Sequence, residues 1–318
     1  MAEIAVPKTV GAKPAGTGIH QVVNAMTIDV EDYFHVAAFS SVIKPAHWES
    51  RYPLRVETNT RRILKMLNKH GVKATFFVLG WVAKKCPALV RAIVREGHEV
   101  ASHGYFHQPA NRQSRQVFFN DIASSKHLLE DISGQPVLGY RAPSFSIDTS
   151  NPWAFEVLHA LGFAYSSSTY PVKHDLYGTP DWPRFKHVRE EGVIEVPIPT
   201  FNKLGRNIPI GGGGFFRLYP YWLSRQLINA FLAETKQPYS FYFHPWEIDP
   251  RQPRIMGIPA KSRFRHYLNL NSMEAKLHRL LNDYRWSTMR NVYLLNGFES
   301  DAAISNQEVI KERLPTLG

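Results

Sequence analysis

The sequence predicts an α/β fold: a closed or nearly closed ring of parallel strands with helices outside, a (β/α) barrel. Three observations predict it. Short apolar runs alternate with helical stretches that end at glycine, the pattern of strand, helix, strand units. At 318 residues the chain is long enough for one large barrel. Asp29, His103, Arg141 and His244 each stand at or just after the end of an apolar run. In a parallel barrel that position brings residues far apart in sequence to one rim.

Residues 1–20 mix Lys, Pro, Gly, Ala and Thr without periodicity and read as a flexible tail. The apolar run 22–30 is the first strand. A helix over 56–70 stops at Gly71 and leads into the strand 73–79. Pro87 opens the next helix and Gly97 closes it. The strand 99–102 precedes a long helix over 115–133, ended by Gly134. Pro152 and Gly162 bracket a further helix, followed by a strand near 163–165; strands over 193–196 and 240–243 complete the reading. The glycine run 211–214 lacks the Lys and Ser or Thr of a phosphate loop and reads as a tight loop. Residues 21–250 form the barrel, and 251–318 a basic C-terminal extension packed on it.

Composition narrows the chemistry. Cys86 is the only cysteine, which excludes an intrachain disulfide and a thiolate-rich zinc site. Any metal must be held by His and carboxylate. No window approaches the roughly twenty apolar residues of a membrane span, and the first residues lack the apolar stretch of a signal peptide. The expected location is the cytoplasm, either free or at the inner face of the membrane.

The formal charge is +11, and its excess is concentrated. Between Arg251 and Arg290 nine basic residues (Arg251, Arg254, Lys261, Arg263, Arg265, Lys276, Arg279, Arg285, Arg290) face two acids, Glu274 and Asp283, a net +7. Such a field suits an anionic polymer, a phosphate or an acidic membrane surface. No recognition motif for nucleic acid accompanies it.

The residues that carry chemistry fall in four places. His103 and His107 are four apart after a strand and can converge on one metal. Among fourteen histidines, this spacing alone does not name a site; His98, just past Gly97, is expected to pack or cap. Asp29, Glu31 and Asp32 crowd carboxylates after the first strand, which makes sense where a cation or proton is shared. Hydrolysis of an amide at neutral pH needs both a metal and a base.

Thr27-Ile28-Asp29-Val30-Glu31, Ser102-His103-Gly104-Tyr105-Phe106-His107, Arg141-Ala142-Pro143-Ser144-Phe145 and Phe241-Tyr242-Phe243-His244-Pro245 occur together in this order. In order and spacing they resemble the NodB-type polysaccharide deacetylases of carbohydrate esterase family four. The resemblance covers about 21–250, and the whole chain looks like the subgroup linked to bacterial exopolysaccharide loci. It implies a distorted (β/α) barrel of seven or eight strands. It also implies a metal-dependent hydrolase that removes N-acetyl groups from a polysaccharide or lipid-linked oligosaccharide. By resemblance Asp29 is the base, His103 and His107 are metal ligands, and His244 is the acid that protonates the leaving amine. Arg141 orients the base, the Ser144 N–H donates to the oxyanion, and the metal is a divalent ion, zinc in first place.

The sequence departs from that pattern twice. Val30 stands where a second, adjacent Asp is usual, so the third ligand is Glu31 or Asp32; strand alternation favours Glu31. Ser166, Ser167 and Ser168 stand where related sequences often carry an acid. Phe215, Arg217 and Trp246, with Phe216 and Glu247, are candidates for a sugar-binding rim. Two rival readings keep the barrel: a hydrolase of cyclic amides such as allantoin, and a glycan-binding protein without activity.

Overall fold

The computed structural model describes residues 22–174 and 178–295. The expected tail over 1–20 and the end of the extension, 296–318, lie outside the described residues.

The main sheet is built from β1 (Val23–Val30), β2 (Thr75–Val78), β3 (Glu99–Ser102), β4 (Gly139–Tyr140), β5 (Tyr165–Ser166), β6 (His187–Val188) and β7 (Ile194–Glu195). After the separate hairpin β8 (Thr200–Lys203) and β9 (Arg206–Pro209), the chain returns to the sheet with β10 (Ser240–Phe243) and β11 (Arg285–Ser287). Eight strands follow the order β10-β1-β2-β3-β4-β5-β7-β6, and β11 pairs with the start of β1. All pairings in this sheet are parallel except β6 with β7. This is the expected (β/α) barrel, curled and with its two end strands unpaired with each other.

Strand alternation separates two environments along β1. Met26, Ile28 and Val30 belong to the large core shared with the outer helices. Each is fully buried, worth roughly 1.5–3 kcal/mol apiece. Ala25 instead joins a smaller inner cluster, while Thr27 and Asp29 continue that inward line toward the rim. In the inner cluster Ala25, Phe77, Ala101, Tyr165 and Ile194 meet Met289, Val292, Tyr293 and Leu294. Residues after β11 therefore floor the barrel, tied in by Met289 N–H on the Thr75 hydroxyl (2.7 Å) and Arg290 N–H on Glu99 (3.0 Å).

The outer helices follow their sequence signals. Val56–Lys69 buries Val56, Thr60, Ile63, Leu64 and Leu67, a stripe at helical spacing. Arg115–Ser133 starts on Ser114, whose side chain accepts the Val117 N–H, and ends at Gly134 in the left-handed conformation. Pro87–Arg95, Ala154–Ala160, Tyr221–Thr235 and Leu270–Asp283 complete the main outer layer. Among the described residues no helix is long and apolar enough to cross a membrane.

Candidate active site

Four parallel strands deliver side chains to the C-terminal rim: β1 brings Asp29 and then Glu31, β3 His103, β4 Arg141, and β10 His244. Asp29, Glu31, His103 and Arg141 are buried.

Glu31, His103 and His107 each offer a ligand atom, all within 4.8 Å of one another. Glu31 Oε2 lies 2.6 Å from His107 Nε2, yet that oxygen receives no hydrogen bond of proper geometry. Two lone-pair donors this close call for a proton or a cation between them. His103 contacts the Arg141 carbonyl through Nδ1 at 2.8 Å. A carbonyl can only accept, so the proton is on Nδ1 and Nε2 is left as a ligand. Burial pushes the His103 pKa down to about 4, which keeps the ring neutral as ligation requires. Burial works to raise the Glu31 carboxyl, but His107, His244 and His103 hold it well below the usual range. Trp246 Nε1 donates to Glu31 Oε1 at 3.2 Å and fixes the carboxylate plane. The donor set therefore fits a divalent ion.

The loop from His103 to His107 is held by Asp121 on the Arg115–Ser133 helix, whose carboxylate accepts the N–H groups of Tyr105 (2.8 Å) and Phe106 (3.3 Å). Ser125 adds a bond to the Gly104 carbonyl at 3.0 Å. His107, Ser144 and Phe145 all have positive φ (53°, 57° and 50°), each costing on the order of 1–3 kcal/mol. The surrounding structure retains this strain at the rim, where it aims the side chain of His107 and the backbone of Ser144.

Asp32 is not at the ligand cluster. Its carboxylate accepts the N–H groups of Tyr33 (2.9 Å), Arg55 (2.6 Å) and Val56 (2.7 Å), capping the Val56–Lys69 helix from a distance. Among the described residues the cluster of mutually close ligand atoms includes Glu31 and not Asp32.

Arg141 is fully buried and every arm is used. Nη1 donates to Asp29 Oδ1 at 2.6 Å and to Thr27 Oγ1 at 2.9 Å. Nε and Nη2 reach the carbonyl and hydroxyl of Ser167, and the guanidinium lies over the Phe77 ring at 4.1 Å. Ser168 takes the Ala142 N–H at 2.9 Å. The serine run thus supports Arg141 and the turn after it.

His244 Nε2 is 3.5 Å from Glu31 Oε1 and 3.9 Å from Asp29 Oδ2. Burial opposes its protonation, but Glu31, Glu247 and Asp29 outweigh that and raise its pKa to about 9.

The rim candidates separate. Arg217 is 2% exposed, engaged by Glu247 and by main-chain carbonyls, so it cannot meet a glycan. Trp246 is buried between His244 and His266. Phe215 keeps a partly exposed face, and Phe106, 48% exposed beside His107, is a rim aromatic that sequence reading left unassigned. Asp121 and Thr27 were also not singled out, since nothing local marks a helix acid or a strand Thr as supporting a loop or an arginine. Glu247 was read only as rim; its spacing of three from His244 was the available signal.

Residues 49–166 match the family model described as polysaccharide deacetylase, and 167–294 match one described as a domain of unknown function, DUF3473. A peptidoglycan-N-acetylglucosamine deacetylase of Bacillus cereus is 35% identical over 98 residues, 30% of this chain and 36% of that protein. Peptidoglycan-N-acetylglucosamine deacetylase PgdA of Listeria monocytogenes is 40% identical over 75 residues, 24% of this chain and 16% of its own. The chain thus spans well under half the length of either relative. Among solved structures, a Mycobacterium smegmatis protein described as a putative polysaccharide deacetylase superposes with a TM-score of 0.55 at 18% identity, covering 90% of this chain and 93% of its own. PuuE allantoinase does so with a TM-score of 0.54 at 15% identity, covering 91% and 96%. These two likenesses show the fold, which two activities share. The family model carries the assignment further: residues 49–166 form a polysaccharide deacetylase domain, and the four rim segments keep their resemblance to the NodB type of carbohydrate esterase family four.

Proposed function

We propose that the protein is a metal-dependent N-deacetylase acting on an N-acetylated glycan. One observation carries this reading: Asp29 and His244, the candidate base and acid, stand beside the three ligand atoms of Glu31, His103 and His107 in one cluster at the rim. A divalent ion held by those three residues, zinc in first place, would polarise the acetyl carbonyl and acidify the attacking water. Asp29, held in one orientation by Arg141, takes the proton of that water. The Ser144 N–H, in its left-handed turn, donates to the charge developing on the carbonyl oxygen. His244 carries its proton on Nε2 to the departing nitrogen, releasing acetate and a free amine.

The relatives named for peptidoglycan N-acetylglucosamine support an amino-sugar substrate. The exposed cations Arg251, Arg254, Arg263 and Arg285 favour an anionic or lipid-linked form of it, handled by an exopolysaccharide system at the inner membrane face. Residues 251–318 would act there as a basic extension of the barrel. The test is acetate release from N-acetylated oligosaccharides, with allantoin as the alternative substrate and metal content measured in parallel. The reading requires about one metal per chain and acetate release in the wild type, both lost in His103→Ala. Turnover of allantoin without acetate release would replace it.

A further inference from the structure

His244 is held on two sides by residues that a sugar platform would not need. Its ring stacks on Trp246 (5.1 Å between centroids, 18° between planes), which stacks on His266 (4.2 Å, 16°). Glu247 Oε1 receives both the His244 backbone N–H at 3.0 Å and ring Nδ1 at 2.8 Å. Glu247 is 1% exposed, and its Oε2 takes Arg217 Nε at 2.7 Å. Arg217 gives its remaining donors to the chain that follows: Nη1 to the carbonyls of His266 (3.0 Å) and Leu268 (2.5 Å), Nη2 to that of Arg265 (3.2 Å). Gly213 packs so close that a Cβ there would run into the Glu247 carboxylate.

A buried carboxylate with a buried arginine is retained as an anion, and an anion beside Nδ1 accepts its proton. The ring then keeps its Nδ1 proton on Glu247 and is held in one plane, with Nε2, which carries the proton to be delivered, directed at Glu31 and Asp29. We propose that Glu247 is a positioning residue for His244, and that Arg217, locked by the carbonyls of residues 265, 266 and 268, positions Glu247 in turn. His244, Glu247, Arg217 and the locking segment all lie in 167–294, the part matched to a domain of unknown function. Asp29, Glu31, His103, His107 and Arg141 all precede it in the chain. That second region supplies and aims the proton-delivering side of the site, and its first residues, Ser167 and Ser168, also hold Arg141 and the turn after it. This rests on the deacetylase reading.

The test uses the full, zinc-loaded chain as wild type, Glu247→Gln and Arg217→Lys. Two substrates are compared: an N-acetylglucosamine oligomer, whose amine must be protonated to leave, and 4-nitrophenyl acetate, whose phenolate leaves unaided. Loss of aim at His244 should lower the amide-to-ester ratio of kcat by about 10²-fold in Glu247→Gln, with KM and metal content kept and a smaller fall in Arg217→Lys. Equal loss on both substrates, or no loss, overturns the proposal. Nitrogen-15 histidine NMR gives a readout independent of turnover. The wild type should show a strongly deshielded Nδ1 proton on His244 that is lost in Glu247→Gln, and its absence from the wild type overturns the proposal. A wild type with that signal but no acetate release defeats the deacetylase reading and leaves the positioning intact. If Glu247→Gln fails to fold, the same comparisons on Arg217→Lys decide.

Discussion

Arg141 holds the two halves of the candidate chemistry at once: its guanidinium donates to Asp29 at 2.6 Å, and its carbonyl accepts the His103 Nδ1 proton at 2.8 Å. One contact is made by the side chain and the other by the main chain, so substitution separates them. Arg141→Met should keep metal, because the carbonyl remains, and lose at least about 10²-fold in turnover, because Asp29 loses its partner. Removing half of a buried ion pair should also cost about 3–5 kcal/mol of stability. Metal analysis, kinetics and urea melts on one preparation check all three.

Asp29→Asn and Glu31→Gln should fail differently. The first removes the base and should keep about one metal per chain while acetate release disappears; the second should lose metal and activity together. Identical metal content in the two variants would place the third ligand elsewhere.

Asp32→Ala tests the distant cap. Three backbone N–H groups lose their acceptor, and the expected loss is about 3 kcal/mol with metal content unchanged. A thermal melt beside a metal assay reads both quantities.

His98 predicts a pH effect on stability. It is 3% exposed and its Nδ1 accepts the Ala74 N–H at 3.2 Å. Burial, with Lys73 nearby, lowers its pKa from 6.5 to about 4. Between those values the unfolded chain binds a proton that the folded chain refuses. Stability is therefore complete above about pH 6.5 and falls as pH drops toward 4, by about 3 kcal/mol from this residue. In His98→Gln, whose amide oxygen can take the Ala74 bond, the difference between urea melts at pH 7 and pH 4.5 should shrink by about that amount.

The basic surface makes a separate claim. Replacing Arg251, Arg254 and Arg263 with Ser should raise KM for an anionic glycan and flatten its dependence on salt, leaving a neutral oligomer unaffected. An unchanged KM for the anionic substrate would remove the argument for such a partner.

Much of this was legible in the sequence because it is local. The period-two pattern of β1 put Asp29 and Glu31 on one face and Met26, Ile28 and Val30 on the other. Glycine punctuation set the end of the Arg115–Ser133 helix at Gly134, and strand ends located His103, Arg141 and His244. What the tertiary structure decided depends on contacts between distant segments. Asp32 was drawn from the ligand set by N–H groups more than twenty residues away, at Arg55 and Val56. Arg217 and Trp246 looked like rim residues until the chain at 265–268 buried them. The residues flooring the barrel come from beyond β11, far in sequence from the strands they fill. Periodicity reports which face of an element is buried, because the backbone fixes side-chain direction locally. Which partner meets that face is set when the chain closes on itself, and that assigned the carboxylate pair, the buried arginine and the setting of His244.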